Sequence, residues 1–378
     1  MMIYISLISL IGLFSCTKRI VLKDARENQP GLFAYNKNID TKYFVDMEIS
    51  DSLELVWSND THGSFLNSSV VFYDDYLFVS DLSGRVYCFL DSTGKEIGAE
   101  KYKGEVAVSP LIYGNSILFG VNFFEENYAT IFFYDFIRGD YKNQIDIKGS
   151  LVNEFIKSEN DFAVLTEAGD LIKYNYQGEK MWEYISGEAA LCTPYLGDGR
   201  VYFGTEHGEL ICIDYNSGKE IWRTKITHGI ESTPVKAGSK IIVGDTYGTI
   251  ICYDEVNQAA VWKFETKAKI KSQPVVIDDK VLAGNLAGEL YSINLASGRE
   301  NWSLKLGGII NSTPLAFKNL LVQPDLNKKV YLIDYRSGKV VKELKFDARV
   351  RLSPAFYRNK IYFGVDRGEI YSYRVIRL

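Results

Sequence analysis

The sequence predicts an all-β fold, an eight-bladed β-propeller of four-stranded antiparallel blades, and three observations lead to this prediction. A Ser/Thr-Pro or related element recurs every forty residues at Pro194, Pro234, Pro274, Pro314 and Pro354. The series continues backwards through Val152, Pro110 and Val70, which makes eight anchors. The last unit lacks a fourth strand, and an unpaired strand stands before the first unit. Four-stranded units of about forty residues repeated radially are propeller blades.

The composition indicates a large folded protein. Of 378 residues, 46% are hydrophobic and 14% aromatic, which is ample material for a core. The 43 Lys and Arg residues are outnumbered by 48 Asp and Glu residues, with no long run of either sign. Nucleic acid is therefore not an expected partner, because its binding proteins carry a basic surface.

The N-terminal segment 1–16, MMIYISLISLIGLFSC, is distinct from the rest. Its apolar run from Ile3 to Phe14 would reach about 18 Å as a helix, short of the roughly 30 Å hydrocarbon layer, and such a length is typical of a signal-peptide core. The ending Leu-Phe-Ser-Cys16 resembles the lipobox of bacterial lipoproteins, in which the cysteine is acylated. This resemblance implies a lipid anchor on Cys16; a plain secretory signal is the alternative.

Residues 17–52 are polar, contain Pro30-Gly31 and show little periodicity. We interpret them as a tether between the lipid and the body. The propeller is predicted over residues 53–378.

The unit that begins at Glu231 illustrates the blades. ESTPVKAG, KIIVGDT, GTIICYDEV and AAVWKFET alternate Ile, Val, Tyr, Phe and Trp with Gly, Asp and Asn turns, a pattern typical of strands. Gly244 and Gly248 are predicted as turn positions that exclude a Cβ atom, and their counterparts recur in other units.

The ends of the series predict a closed ring. The eighth unit stops after its third strand, IYSYRV, and the orphan strand lies at Leu53 to Ser58 with Trp57 near the usual tryptophan position. Pairing of the two would leave no free sheet edge at the seam.

An eleven-residue motif, CIDYNSGKEIW from Cys212 to Trp222, recurs with the same period. It resembles the tryptophan-docking motif of eight-bladed propellers of the pyrroloquinoline-quinone (PQQ) repeat superfamily. The resemblance implies that the tryptophans lie between adjacent blades, while the acidic residues satisfy the amides of the turn before the glycine. The structural residues so identified are Trp57, Trp182, Trp222, Trp262, Trp302, Asp214, Gly218, Asp254, Gly298, Asp334 and Gly338. The motif decays at Gly98, Asn143 and Lys342, where tryptophan is expected, and at Gln258, where glycine is expected.

Other reactive side chains are explained by the repeat. Cys88, Cys212 and Cys252 occupy one motif position in separate blades, so we expect these thiols, and that of Cys192, to be free. The three histidines are expected to be exposed loop residues, and no metal or cofactor site is predicted. The sequence also has none of the adjacent cysteines or insertions that the quinoprotein dehydrogenases of this superfamily require.

The combination of Cys16, a short tether and a bare eight-unit ring is similar to the BamB family, the lipoprotein subunits of the outer-membrane β-barrel assembly machinery. This resemblance implies a non-enzymatic scaffold on the periplasmic side of the outer membrane, a monomeric propeller within a complex that contacts the barrel-inserting protein through loops. The corresponding loop residues are Ser186, Glu188, Leu191, His228, Ile230 and Glu231.

A propeller that binds another envelope protein, a peptide or a glycan is the alternative, because a fold alone does not choose a partner. Phe123 and Phe124 in a long turn, or Arg349, Arg351 and Tyr357 near the last blade, are candidate contacts for it.

Overall fold

Eight antiparallel sheets arranged in a ring make up the computed structural model, which describes residues 18–23, 25, 43–65 and 68–378. The predicted signal peptide, Cys16 and most of the predicted tether lie outside the described residues. Each sheet has four consecutive strands, except for the last sheet and for one sheet with an added short strand. The predicted fold class is confirmed.

The first four blades follow the chain from the channel outwards. Their strands are β3 Val71–Tyr73, β4 Tyr76–Asp81, β5 Arg85–Leu90 and β6 Glu96–Lys101 in blade 1; β7 Leu111–Tyr113, β8 Ser116–Phe123, β9 Tyr128–Asp135 and β10 Asp140–Lys148 in blade 2; β11 Ile156–Lys157, β12 Asp161–Leu165, β13 Asp170–Asn175 and β14 Lys180–Ile185 in blade 3; β15 Tyr195–Gly197, β16 Arg200–Gly204, β17 Glu209–Asp214 and β18 Glu220–Lys225 in blade 4. A 3₁₀ helix, Phe124–Glu126, joins β8 to β9.

The last four blades complete the ring. Their strands are β19 Val235–Ala237, β20 Lys240–Gly244, β21 Thr249–Asp254 and β22 Ala259–Glu265 in blade 5; β23 Val275–Ile277, β24 Lys280–Gly284, β25 Glu289–Asn294 and β26 Glu300–Lys305 in blade 6; β27 Leu315–Phe317, β28 Leu320–Asp325, β29 Lys329–Asp334 and β30 Lys339–Lys345 in blade 7; β31 Ala355–Tyr357, β32 Lys360–Gly364, β33 Glu369–Arg377 and the early strand β2 Ile49–Asp60 in blade 8. A two-residue strand, β1 Phe44–Val45, adds in parallel to β27.

The ring is closed as predicted. Strand β2 pairs antiparallel with β33 and brings Trp57 opposite Ser372. The seam between blades 8 and 1 also carries an ion pair, in which Lys360 Nζ lies 2.6 Å from Asp91 Oδ2. Because the closing strand satisfies the outer edge of β33, blade 8 is as complete as the others.

The hydrophobic core is divided into eight clusters, one between each pair of neighbouring blades, blades 8 and 1 included. The third strands read as continuous buried runs, such as LICI in β17, because both of their faces are covered by adjacent blades. The fourth strands alternate exposed and half-buried residues, as in β18, because one face meets water.

Four tryptophans make the same two contacts with the next blade. The indole nitrogen of Trp302 donates to the carbonyl of Tyr335 at 3.0 Å, and a Cβ atom on Gly338 would lie 2.7 Å from its ring. Trp57, Trp182 and Trp262 repeat both contacts, donating to the residue three before Gly94, Gly218 and Gly298. At Gly338 the backbone φ is +73°, so glycine is needed both for conformation and for space.

The remaining motif positions behave as follows. Carboxylates accept turn amides, with Ser217 N bonded to Asp214, Asn257 N to Asp254 and Arg336 N to Asp334. Trp222 packs on Tyr253, with 5.7 Å between ring centroids, and faces the turn in which Gln258 takes a φ of +50°.

The described part of the predicted tether is packed on the body. Ile20 and Leu22 are buried between blades 1 and 2, and Val45 and Ile49 are buried beside blades 7 and 8. The segment is polar overall but contains short apolar stretches. Their side chains pack between blades 1 and 2 and between blades 7 and 8.

Candidate functional site

The loops between blades and the turns between second and third strands share one face, here called the interaction face. Backbone bonds join them, because each interblade loop contacts the turns on both sides: Ala190 N donates to Glu167 O, and Glu206 N donates to Ala189 O. The turns between first and second strands, and between third and fourth, lie on the opposite face because neighbouring strands are antiparallel.

The loop 186–191 enters blade 4. Ser186 is buried, and its hydroxyl donates to the Glu188 carbonyl within a tight turn. The Glu188 side chain is half-buried and accepts a hydrogen bond from Thr205 at 2.9 Å. Leu191 is exposed at the mouth of the central channel. Of these three predicted contact residues, Leu191 is therefore the one available to a partner.

The loop 227–231 enters blade 5. His228 is exposed, and its ring lies 4.8 Å from that of Tyr247. Glu231 is paired with Lys269 at 2.5 Å. Ile230 is fully buried. It packs so closely on Gly204 that a Cβ atom there would lie 2.3 Å from the Ile230 side chain. The predicted contact role of Ile230 is wrong for this reason.

The burial of Ile230 also corrects the interpretation of the strand-end glycines. Gly204, Gly244 and Gly284 each face the apolar side chain of the following interblade loop, at 2.2 to 2.4 Å from a built Cβ atom. Close approach, and not a turn conformation, requires glycine there. The turn requirement holds at Gly248, whose φ is +96°.

The interaction face exposes apolar side chains that were not predicted. Tyr247 is 72% exposed in the turn of blade 5, Ile185 is 67% exposed at the end of β14, and Ile309 is 45% exposed in the loop that enters blade 7. Tyr247 precedes the turn glycine, where blades 4 and 6 carry His207 and Ala287. Because the turn does not need an aromatic residue at this position, the presence of Tyr247 is a signal in the sequence for a contact residue.

The histidines do not converge on a site. His207 Nδ1 lies 3.5 Å from Glu188 and 3.8 Å from Glu206, on the surface. His62 and His228 belong to blades on opposite sides of the ring. Within the described ranges, no group of three His, Cys, Asp or Glu side chains is placed to hold a metal ion.

The anchors of the repeat line the central channel. The amide of Gln273 donates to the hydroxyl of Thr313, and the amide of Thr313 donates to the hydroxyl of Ser353, both at 3.3 Å. The hydroxyl groups that precede Pro314 and Pro354 therefore each bond one blade to the next. The cavity at one end has a volume of about 180 Å³ and is lined by charged as well as hydroxyl groups, including Glu154 and Lys157. Burial lowers the pKa of Lys157 to about 8.

The four described cysteines are all buried, and none of them forms a disulfide bond. Burial raises the pKa of Cys192 and of Cys212 to about 12 and that of Cys252 to about 11. Thiols with such pKa values are poor nucleophiles at neutral pH, so their place in the motif is one of packing.

Most of the other predicted contact residues already contact neighbouring side chains of the propeller or are buried. Phe123 stacks on Tyr128 at 4.9 Å, while Phe124 is 52% exposed on the 3₁₀ helix. Arg349 and Arg351 both contact Asp366 at 2.5 Å, and Tyr357 is buried. Phe124 is thus the most accessible of the aromatic residues in this set.

Comparison with known proteins supports the predicted resemblance to PQQ-repeat propellers. The family model described as outer membrane protein assembly factor BamB matches residues 167–308. The structure of BamB from Moraxella catarrhalis is similar with a TM-score of 0.72 and 15% identity, over 85% of this chain and 100% of that one. No curated protein sequence matches significantly.

Two further solved structures share the fold. The computationally designed protein Ika8 has a TM-score of 0.72 and 14% identity, over 85% of this chain and 99% of that one. The quinohemoprotein alcohol dehydrogenase ADHIIG from Pseudomonas putida has a TM-score of 0.78 and 10% identity, over 93% of this chain and 81% of that one. Across the described residues, no helix is long and apolar enough to cross a membrane.

Proposed function

We propose that this chain is a non-enzymatic, lipid-anchored scaffold of the cell envelope that assists the assembly of outer-membrane β-barrel proteins. The observation that carries the proposal is the match of residues 167–308 to the BamB family model. This region supplies the loops 186–191 and 227–231, and it contains three exposed apolar side chains of the interaction face, namely Ile185, Leu191 and Tyr247.

The interaction face has the properties of a docking surface for a protein. Leu191, Tyr247 and Ile309 are apolar and exposed on loops whose backbones are fixed by hydrogen bonds to neighbouring turns. Exposed aromatic and aliphatic side chains on a rigid support are typical anchors of interfaces, because little conformational entropy is lost on binding. The proposed partner is the barrel-inserting protein of the outer membrane.

Site-specific crosslinking in intact cells tests this proposal. A photoreactive phenylalanine analogue at Tyr247 should capture the barrel-inserting protein. The matched control is the same analogue at Val256, which is 76% exposed in the turn between β21 and β22 on the opposite face. Capture from both positions, or from neither, would contradict docking through the interaction face. Capture of a different envelope protein from Tyr247 would support the alternative of an independent binding propeller.

The lipid anchor is tested separately. Cys16→Ser should move the protein from the membrane fraction to the soluble periplasmic fraction and abolish incorporation of a labelled fatty acid. Membrane retention of the variant with no label in the wild type would refute lipidation of Cys16.

An enzymatic role is tested with the cofactor itself. The similarity to a quinohemoprotein dehydrogenase is one of fold, and the scaffold proposal expects PQQ and Ca²⁺ to leave the melting temperature unchanged. A saturable rise with PQQ concentration would replace the scaffold by an enzyme, because a ligand that binds the native state stabilises it.

A further inference from the structure

The seam between blades 1 and 2 lacks a docking tryptophan. Gly98 lies opposite Cys88 on β5, the register in which Trp222 lies opposite Cys212 and Trp262 opposite Cys252. The receiving turn of blade 2 is nevertheless intact. Asp135 accepts the amides of Ile137 and Arg138, and Gly139 has a φ of +75°. Blade 2 thus presents a docking turn to a neighbour that has no indole.

Residues 18–22 make the contacts of the missing tryptophan. In the four seams closed by Trp57, Trp182, Trp262 and Trp302, the indole N–H donates to the carbonyl three residues before the turn glycine. Here Leu22 N donates to Phe136 O at 2.7 Å. In those four seams the indole ring covers the glycine, and here Val21 does so, because a Cβ atom on Gly139 would lie 2.6 Å from Val21 Cγ2. Both elements of the docking interaction are reproduced by a peptide.

The same segment is bound along its length. Ala99 N donates to Lys18 O at 2.8 Å, and Tyr134 Oη donates to Ile20 O at 2.8 Å. Ile20 N donates to Glu100 Oε1 at 3.2 Å, and the Ile20 side chain is fully buried. A Cβ atom on Gly98 would lie 2.5 Å from Lys18 O, so the absence of a side chain at Gly98 makes the room that the backbone fills.

We propose that the groove between blades 1 and 2 is a peptide-binding site whose ligand is the chain's own segment Lys18–Leu22, and that its occupancy closes this seam in place of a tryptophan. The ligand class is an extended peptide with three successive aliphatic side chains, recognised by main-chain hydrogen bonds to an outer strand and by the apolar contacts of those side chains.

The position of residues 18–22 determines which part of the propeller lies next to the proposed lipid anchor. This consequence rests on the proposed function. Only Thr17 separates Cys16 from Lys18, and two residues of extended chain span at most about 7 Å. An acylated Cys16 therefore holds the outer rim of blades 1 and 2 close to the membrane surface.

Amide hydrogen exchange on the full-length chain in detergent tests the site. The amides of Ala99 and Leu22 should be protected in the wild type, and Ile20→Asp should raise their exchange rates by about 100-fold or more, because a buried carboxylate expels the segment. Lys23→Asp is the control, since Lys23 is exposed in the same segment and should leave both rates unchanged. If Ile20→Asp does not fold, Ile20→Ala should give a smaller rise at the same two amides.

A tryptophan at position 98 provides the second test. In the wild type, Gly98→Trp should expel the segment and lower the unfolding midpoint, because the new side chain overlaps the backbone of Lys18. In the Ile20→Asp background the slot is empty, and Gly98→Trp should raise the midpoint. The same sign in both backgrounds, or unprotected Ala99 and Leu22 amides in the wild type, would overturn the proposal. Neither measurement depends on lipid, so failure of this site and failure of the Cys16 anchor are distinguishable.

Discussion

Replacing Gly94 by alanine measures how tightly the tryptophan of the closing strand fills its seam. Gly94 has a φ of +70°, so any Cβ atom there costs about 1–2 kcal/mol in backbone strain. The atom would also lie 2.4 Å from Cε3 and 2.5 Å from Cδ2 of Trp57, and overpacking of this kind costs about 1–3 kcal/mol. We therefore expect Gly94→Ala to lower the free energy of unfolding by about 2–5 kcal/mol in total.

A matched control and a second background separate the two contributions. Gly238 has a φ of +63° with no atom within 4 Å of a built Cβ, so Gly238→Ala should cost only the strain of about 1–2 kcal/mol. Trp57→Ala alone should cost about 3–5 kcal/mol, because the indole is buried and bonded to Asp91 O. In that background Gly94→Ala should again cost about 1–2 kcal/mol.

The assay is equilibrium urea unfolding followed by far-ultraviolet circular dichroism, which reports on the whole ring and not on the mutated indole. Equal losses for Gly94→Ala and Gly238→Ala would refute the reasoning. So would a cost of Gly94→Ala that is the same with and without Trp57.

Three further predictions concern the core. Trp222→Ala should lower the free energy of unfolding by about 3 kcal/mol in urea titrations, since the ring packs between blades 4 and 5; a loss under ~1 kcal/mol would contradict this packing. Lys173→Met should cost about 3–5 kcal/mol in the same assay, because it strands the carboxylate of Asp161, 2.9 Å away; adding Asp161→Asn should recover part of the loss. The thiols of Cys192 and Cys252, with pKa values of about 12 and 11, should react with iodoacetamide at pH 8 far more slowly than in unfolded protein, and rapid labelling would refute their burial. These folded-state thiol pKa values exceed the unfolded value of about 8.5, so above that pH the folded state binds more protons than the unfolded state. The urea midpoint of unfolding should therefore fall as pH rises from about 9 towards about 11, and the thiols should cause no change between about pH 6 and about pH 8.

The sequence predicted the ring because its structural residues repeat. Trp182, Trp262 and Trp302 recur at a fixed distance from the turn glycines that they cover, and Trp57 lies one residue out of step at the seam. Period and motif together specify strand count, blade order and closure, since each depends on local residues that return forty positions later.

Features that depend on one contact between residues far apart in the sequence were not predicted. Residues 20–22 form a short apolar run in a polar segment, and the hydrogen-bond partners of Ile20 lie 80 to 114 residues away. The one sequence signal was Gly98 in the register of a tryptophan. Ile230 was misassigned to the surface although an apolar residue recurs four before the anchor proline, as in Ile270 and Ile310, and all are buried. Exposed loop residues such as Tyr247 do not recur with the repeat, and their signal in the sequence is an aromatic residue at a position where the turn does not need one.

The strand that completes the circle is synthesised before every other strand of the eight blades and is the last of them to find its partner. The hydroxyl of Thr61 can donate to the carbonyl of Gly368, 307 residues later, only when this part of the chain has emerged. Until then β2 presents an unpaired edge, which is a template for mispairing with other chains. A nascent chain stalled before β33 consequently has seven complete blades and no partner for the closing strand, so termination at residue 368 should yield aggregation and not a slightly smaller ring.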